Sequence, residues 1–90
     1  MEELTKTTNK NYEIVSQLIF DTIKEKGRLN SIYLQFYHNN LLKNVIMIYD
    51  YEIQKLSDKL IDLYQTLRNY NIDKITKVDT NFTTTIKLYN

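Results

Sequence analysis

The chain has 90 residues, with 12 basic and 11 acidic side chains, one His, one Gly and no Cys. A chain of this length forms a single domain with a modest core, because folding buries only about 60–65% of its unfolded surface. The composition excludes disulfides and zinc sites built from clustered Cys and His. The nearly balanced charge argues against a dedicated duplex-DNA binder, which carries a basic stripe for the phosphates.

The first segment predicts a flexible lead-in followed by a helix. Residues 1–9 are polar and contain no apolar stretch typical of a secretory signal peptide. Over residues 10–26 the apolar side chains recur at helical spacing, which predicts a first helix. Gly27 follows its last turn, where a left-handed residue commonly ends a helix.

Apolar residues between positions 42 and 70 alternate in steps of four and three, which is the heptad pattern of a coiled coil. This pattern predicts a second helix over residues 31–71 and a mainly α fold, a helical hairpin or bundle. Further apolar residues widen the face, so we expect the chain to self-associate as a homodimer or larger homo-oligomer. The predicted self-association seam comprises Leu42, Ile46, Tyr49, Ile53, Leu56, Leu60, Leu63, Leu67 and Tyr70.

Residues 31–52 have an alternative interpretation as a β-hairpin. The stretches 32–37 and 45–51 are rich in β-branched and aromatic residues. His38, Asn39 and Asn40 between them are suited to a turn. Under this alternative the fold class is α+β.

The C-terminal segment, residues 74–90, predicts a short β-hairpin. Phe82, Thr84, Ile86 and Leu88 alternate with more polar residues, which is the period-two pattern of a strand. Residues 75–78 would pair with it across a turn at residues 79–81. All segments together are interpreted as one domain over residues 1–90.

No motif for catalysis, a cofactor or a metal is evident in the sequence. The carboxylate pairs at 21/25 and 58/62 lie one helical turn apart, as expected for a solvated helix face. His38 is predicted to be a polar surface residue, and a single glycine rules out a glycine-rich phosphate loop. We therefore predict no enzyme activity, no cofactor and no metal site.

Eight tyrosines stand out in this composition, and tyrosine is enriched at protein interfaces. Tyr51 and Tyr64 lie off the seam and are predicted to form a partner surface. The expected function is a non-enzymatic protein–protein interaction module, with another protein as partner. The excess of residues encoded by AT-rich codons fits an inhibitor or assembly factor from a virus or mobile element.

The alternative function is a small dimeric nucleic-acid-binding regulator. Its phosphate contacts would come from Lys24, Lys26 and Arg28, or from the lysines at 74–87. Binding to nucleic acid is less favoured than binding to protein, because no basic stripe is evident. No apolar run approaches the roughly 20 residues of a membrane span, so we expect a cytoplasmic protein without membrane contact.

Overall fold

A computed structural model describes residues 2–26, 31–49, 55–68 and 70–90, with the side chains of residues 11–25 in the first range. The described elements are α1 (Glu2–Lys26), β1 (Ser31–His38), β2 (Leu41–Tyr49), α2 (Leu56–Leu67), β3 (Lys74–Asp79) and β4 (Thr83–Tyr89). The four strands form one mixed sheet in the order β2-β1-β4-β3. The fold class is therefore α+β.

The hairpin of β1 and β2 turns at Asn39 and Asn40. Both residues have positive φ, 50° and 64°, as a two-residue type I′ turn requires. Asparagine adopts this left-handed region more readily than most residues do. The register shifts between Phe36 and Tyr37: Phe36 pairs with Asn44, whereas Tyr37 pairs with Leu42. Lys43 is thus the extra residue of a β-bulge.

The centre of the sheet is a parallel pair formed by strands far apart in the chain. β1 and β4 run parallel, with Leu34 opposite Ile86. β3 lies antiparallel to β4 on its other side, with Ile75 opposite Leu88. The intervening chain of β2, α2 and β3 provides the long connection that a parallel pair needs.

One face of the sheet forms the core with the two helices. Alternate residues of β1 and β4 are fully or almost fully buried there, as period-two strands predict. Burying one such aliphatic or aromatic side chain contributes about 1.5–3 kcal/mol. The buried apolar core comprises Val15, Ile19, Ile32, Leu34, Phe36, Ile48, Leu63, Leu67, Ile86 and Leu88.

The predicted mainly α fold is wrong, and so are the predicted coiled coil and helical bundle. Residues 31–49 form two strands, and the second helix spans only Leu56–Leu67. Period-two burial explains this result, because Ile32, Leu34 and Phe36 lie on one face of a strand. On a helix, Leu34 would point almost opposite to the other two. The β-hairpin weighed as the alternative is present over 31–49, and positions 50–52 lie outside the described residues.

The start of α1 differs from the prediction, whereas the predicted C-terminal hairpin is present. α1 already begins at Glu2, so residues 2–9, expected to be a flexible lead-in, are helical. Gly27, the expected helix stop, lies outside the described residues. The C-terminal segment contains the antiparallel pair β3 and β4, joined across residues 80–82.

Candidate functional site

The sheet has a second face, which the helices do not cover in the described part of the chain. We call it the open face. Its residues alternate along each strand with those of the face that packs on the helices, and they meet in cross-strand rows fixed by the register. They are Leu42, Val45, Met47 and Tyr49 of β2, Ser31, Tyr33, Gln35 and Tyr37 of β1, Thr83, Thr85, Lys87 and Tyr89 of β4, and Lys74, Thr76 and Val78 of β3.

One row of the open face is an ordered aromatic and basic array. Tyr37 and Tyr89 are cross-strand neighbours whose rings stack with centroids 4.9 Å apart and an angle of 20° between planes. The Lys74 Nζ lies 4.6 Å from the centroid of the Tyr89 ring, within cation–π range. The Tyr37 hydroxyl donates a hydrogen bond of 2.9 Å to Gln35 Oε1. These contacts hold the two rings in fixed positions.

The character of the open face changes from one edge of the sheet to the other. Its β2 residues are all apolar or aromatic, and Leu42 and Met47 are 49% and 41% exposed. Its β4 and β3 residues are mostly threonines, together with Lys74 and Lys87. None of the open-face residues defined above is acidic. The face therefore combines an apolar stripe on β2 with a positively charged region on β4 and β3.

β2 is an edge strand, and its outer side pairs with no other strand among the described residues. The backbone N–H of Val45 donates to the Asn44 Oδ1 at 2.9 Å instead of to β1. It therefore points toward the outer edge. Because outward and inward groups alternate along an antiparallel strand, the N–H of Met47 points outward as well. The Met47 N–H is thus directed at the outer edge, and the Val45 N–H can bond to another strand if that strand's carbonyl replaces the Asn44 side chain as its acceptor.

The two edges of the sheet differ in how well they are protected against such pairing. β3 has six residues and three of them are charged: Lys74, Lys77 and Asp79. β2 has nine residues and a single charge, Lys43, located at the bulge. Charged residues and bulges are common protection for edge strands, and long apolar edges without them tend to pair. The part of this edge strand that carries neither a charge nor the bulge is residues 44–49.

The structure does not place the nine residues of the predicted seam on one helix. Leu42, Ile46 and Tyr49 belong to β2, where Ile46 lies on the core face and the other two on the open face. In α2, Leu63 and Leu67 are fully buried. The remaining described members, Leu56, Leu60 and Tyr70, are partly buried against the core, and Ile53 lies outside the described residues.

The two predicted partner-surface tyrosines are separated in the same way. Tyr51 lies outside the described residues. Tyr64 is 39% exposed on α2, and its ring meets that of Tyr12 edge to face with centroids 5.2 Å apart. Tyr64 thus helps to join the two helices while leaving part of its ring accessible.

Tyr70 is the tyrosine most involved in the fold. Its hydroxyl donates to the carbonyl of Leu88 at 2.6 Å and also contacts the carbonyl of Tyr37. Its ring meets Phe36 edge to face, with centroids 5.4 Å apart. Burial raises the pKa of the Tyr70 hydroxyl above its ordinary value, and the nearby charge of Asp73 raises it further. This predicted seam residue joins the ends of β1 and β4.

The histidine and the two carboxylate pairs considered from the sequence lie at the surface. His38 is exposed at the end of β1, and the carboxylate pairs at 21/25 and 58/62 are exposed on the helices. Within the described ranges, no three potential ligand side chains lie close enough together to hold a metal ion. Neither described helix has the length and apolar content needed to cross a bilayer.

No protein-family model, curated protein or solved structure matches the chain.

Sequence reasoning missed the open face, although a local signal for it exists. Tyr33, Gln35 and Tyr37 alternate with buried residues, and two asparagines follow at the turn. An Asn-Asn pair between two β-rich stretches is a favourable type I′ turn. Weighting that pair more heavily than the heptad steps would have placed these side chains on a common sheet face.

Proposed function

We propose that this chain is a non-enzymatic protein-interaction module that binds a second copy of itself through the outer edge of β2. The observation that carries the proposal is the outer edge itself, nine residues long with one charge. An extended segment that adds to an exposed sheet edge gains backbone hydrogen bonds along its whole length. At about 3.4 Å per residue, this edge is on the order of 30 Å long.

A second copy is the partner best matched to this edge. A two-fold axis requires a strand to pair antiparallel with itself, so that the same surface is used on both copies. Around Ile46, such pairing sets Val45 of each copy opposite Met47 of the other. Both residues have outward backbone groups, so the two strands can exchange hydrogen bonds, with the partner's Met47 carbonyl replacing Asn44 Oδ1 as the acceptor of the Val45 N–H. The single charge, Lys43, then lies away from its symmetry mate.

The apolar stripe of the open face adds side-chain contact to this pairing. The axis is perpendicular to the sheet, so both open faces lie on the same side of the joined sheet. The exposed side chains of Val45 and Met47, 36% and 41% accessible, come to lie beside those of the second copy. Cross-strand apolar pairs of this kind contribute roughly 0.2–1 kcal/mol each.

The test is the mass in solution, measured by size-exclusion chromatography with light scattering over a wide range of concentration. The monomer mass is 10.9 kDa, and we expect twice that value at high concentration. Met47→Lys places like charges close together across the axis and should shift the protein to monomer. A wild-type chain that stays monomeric at every concentration would refute the proposal.

A matched control distinguishes pairing at the β2 edge from non-specific association through the whole open face. Val78 lies in the same cross-strand row as Met47 but on the opposite edge strand, and it is 48% exposed. Val78→Lys makes the same charge change on the same face and should leave the dimer intact. If Val78→Lys dissociates the dimer as strongly as Met47→Lys, the association uses the whole open face rather than the β2 edge.

A second variant tests the backbone contribution directly. Val45→Pro removes one outward N–H while leaving the inward hydrogen bonds to β1 in place. It should give a folded monomer by circular dichroism. Amide hydrogen exchange provides a residue-level check, because the Met47 amide should become more protected as the wild-type concentration rises. Protection independent of concentration would contradict pairing at this edge.

A further inference from the structure

We propose that the central strands of the open face bind single-stranded nucleic acid, with Tyr33 as a stacking ring and Lys87 as a phosphate contact. This goes beyond the self-association proposed above, because both residues lie on the inner strands β1 and β4 and not on the outer edge. Sheets with aromatic rings on an uncovered face are a recurrent surface for stacking unpaired bases. The evidence is the arrangement of rings and charges on this face.

The positions of the rings favour stacking at Tyr33. Both sides of the Tyr89 ring are occupied, by Tyr37 on one side and by Lys74 on the other. Tyr33 is partly exposed, and its ring has no aromatic partner within the described part of the chain. Tyr37 has one ring side turned away from Tyr89, toward the β2 side of the sheet. Because the Tyr33 ring is partly exposed and packs against no other ring in the described part of the chain, a base can stack on it with little rearrangement of the protein.

The charges on the face are complementary to a phosphate backbone. Lys87 pairs across the strands with Gln35, so it lies in the row between those of Tyr33 and Tyr37. Tyr33 and Tyr37 are four residues apart on one strand, about 13 Å at the usual rise. Lys74 and Lys87 are the two charged residues of the open face, and both are positive. Aromatic and basic groups thus alternate across the surface, as a ligand with bases and phosphates requires.

A strand of nucleic acid fits these features better than an acidic peptide does. A peptide rich in Asp and Glu would satisfy the lysines but would leave the tyrosine rings without a flat partner. Duplex DNA would satisfy the lysines as well, yet its stacked and paired bases cannot reach the rings. The prediction is therefore a preference for single strands, with affinity shared between stacking and charge.

The binding test uses the full-length chain and a fluorescein-labelled oligothymidylate, followed by fluorescence anisotropy. Two lysine–phosphate contacts predict a slope of log K against log salt of about −1.4, since each phosphate contributes about −0.7 for a single strand. Tyr33→Leu should weaken binding by at least about fivefold, the lower end for loss of one base–aromatic stack. Tyr33→Phe keeps the ring and should bind like the wild type.

A matched pair of charge variants tests the phosphate contact. Lys87→Gln should reduce the salt slope to about −0.7, because one of two phosphate contacts is lost. Lys55→Gln removes the same charge from an exposed position at the start of α2 and should leave the slope unchanged. Far-ultraviolet circular dichroism of each variant shows that the fold is retained.

Several results would overturn the proposal. One is the absence of binding by the wild-type chain at low salt. Another is binding that Tyr33→Leu leaves unchanged while its circular dichroism spectrum stays native. A third is equal competition by polyglutamate of the same length, which would show that the lysines select acidic polymers irrespective of bases.

Discussion

Tyr70→Phe isolates the hydroxyl group that joins the two central strands. The substitution retains the ring and its edge-to-face contact with Phe36, and it removes only the donor to the carbonyls of Leu88 and Tyr37. A typical intramolecular hydrogen bond contributes about 0.5–1.5 kcal/mol net, and a buried group left without a partner costs about 1–3 kcal/mol. The loss of unfolding free energy depends on whether each carbonyl keeps another hydrogen-bond donor in the variant.

The carbonyl of Tyr37 keeps such a donor. The Tyr37 carbonyl also accepts the backbone N–H of Asn90 at 3.0 Å, so it keeps a donor in the variant. We therefore expect a loss of about 1–2 kcal/mol in the free energy of unfolding, below the full cost of two orphaned carbonyls. In a domain of this size, this lowers Tm by roughly 4–16 °C. Urea unfolding followed by circular dichroism measures the free energy directly.

Tyr64→Phe is the control for this measurement. It removes the same hydroxyl from a tyrosine that also makes an edge-to-face contact, and that hydroxyl has no hydrogen-bond partner in the described part of the chain. We expect its stability to lie within about 0.5 kcal/mol of the wild type, as for most surface changes. Equal stability of Tyr70→Phe and wild type, or equal losses in both variants, would refute the assigned role of Tyr70.

The same hydroxyl predicts a dependence on pH. Burial raises the pKa of folded Tyr70 above its unfolded value of 10.0. Because the protonated form is favoured in the folded state, its stabilising contribution is complete below pH 10 and is lost as the pH rises through the higher folded pKa. The stability difference between wild type and Tyr70→Phe should therefore shrink above pH 10. A difference that grows with pH would contradict this sign.

Two further predictions concern the helices. Ser16 is 8% exposed, and its hydroxyl has no partner in the described part of the chain, so Ser16→Ala should raise the unfolding free energy by about 1 kcal/mol. A loss of stability in urea unfolding would indicate a partner for that hydroxyl. Leu63→Ala should cost about 2–5 kcal/mol, because Leu63 is fully buried, whereas Ile61→Ala, at a 56% exposed site, should change stability little. Comparable losses at the two sites would show that α2 packs by a different face.

Local patterns in the sequence were sufficient for some elements and insufficient for others. Helical spacing indicated α1 and the helix that contains Leu63 and Leu67, since both have one apolar face. Period-two alternation indicated the C-terminal strand with Ile86 and Leu88. Each of these segments fits only one periodicity, and its secondary structure follows from residues that are close together in the sequence.

The stretch from Leu42 to Tyr49 fits both periodicities, which is why its fold was predicted incorrectly. Steps of four and three connect Leu42, Ile46 and Tyr49 as heptad positions, yet nearly every residue between them is also compatible with a strand. Pairing with β1 resolves the ambiguity, because the strand gains a full set of backbone hydrogen bonds and buries Ile48. Such tertiary contributions commonly override local propensity.

The parallel pairing of β1 with β4 lies beyond local reasoning for a different reason. Leu34 and Ile86 are partners across more than half of the chain, and no turn sequence specifies their register. The open face depends on this pairing, since it brings Tyr37 beside Tyr89 and Lys87 beside Gln35. The cluster of tyrosine and lysine side chains on the open face is therefore formed by residues that no short sequence motif contains.

Hydropathy indicates how much apolar surface a chain must cover, whereas periodicity indicates the geometry by which it is covered. Leu63 and Leu67 are buried against the sheet, so the helical part of the predicted seam is satisfied within one chain. Leu42 of the predicted seam remains 49% exposed on β2, and Met47 on the same face, which was not a seam residue, remains 41% exposed. The expectation of self-association therefore rests on residues of β2, among them Leu42 and Ile46 of the predicted seam, and no longer on the helical residues of that seam. Its physical basis is now an apolar strand edge rather than a coiled-coil seam, and that difference determines which substitutions test it.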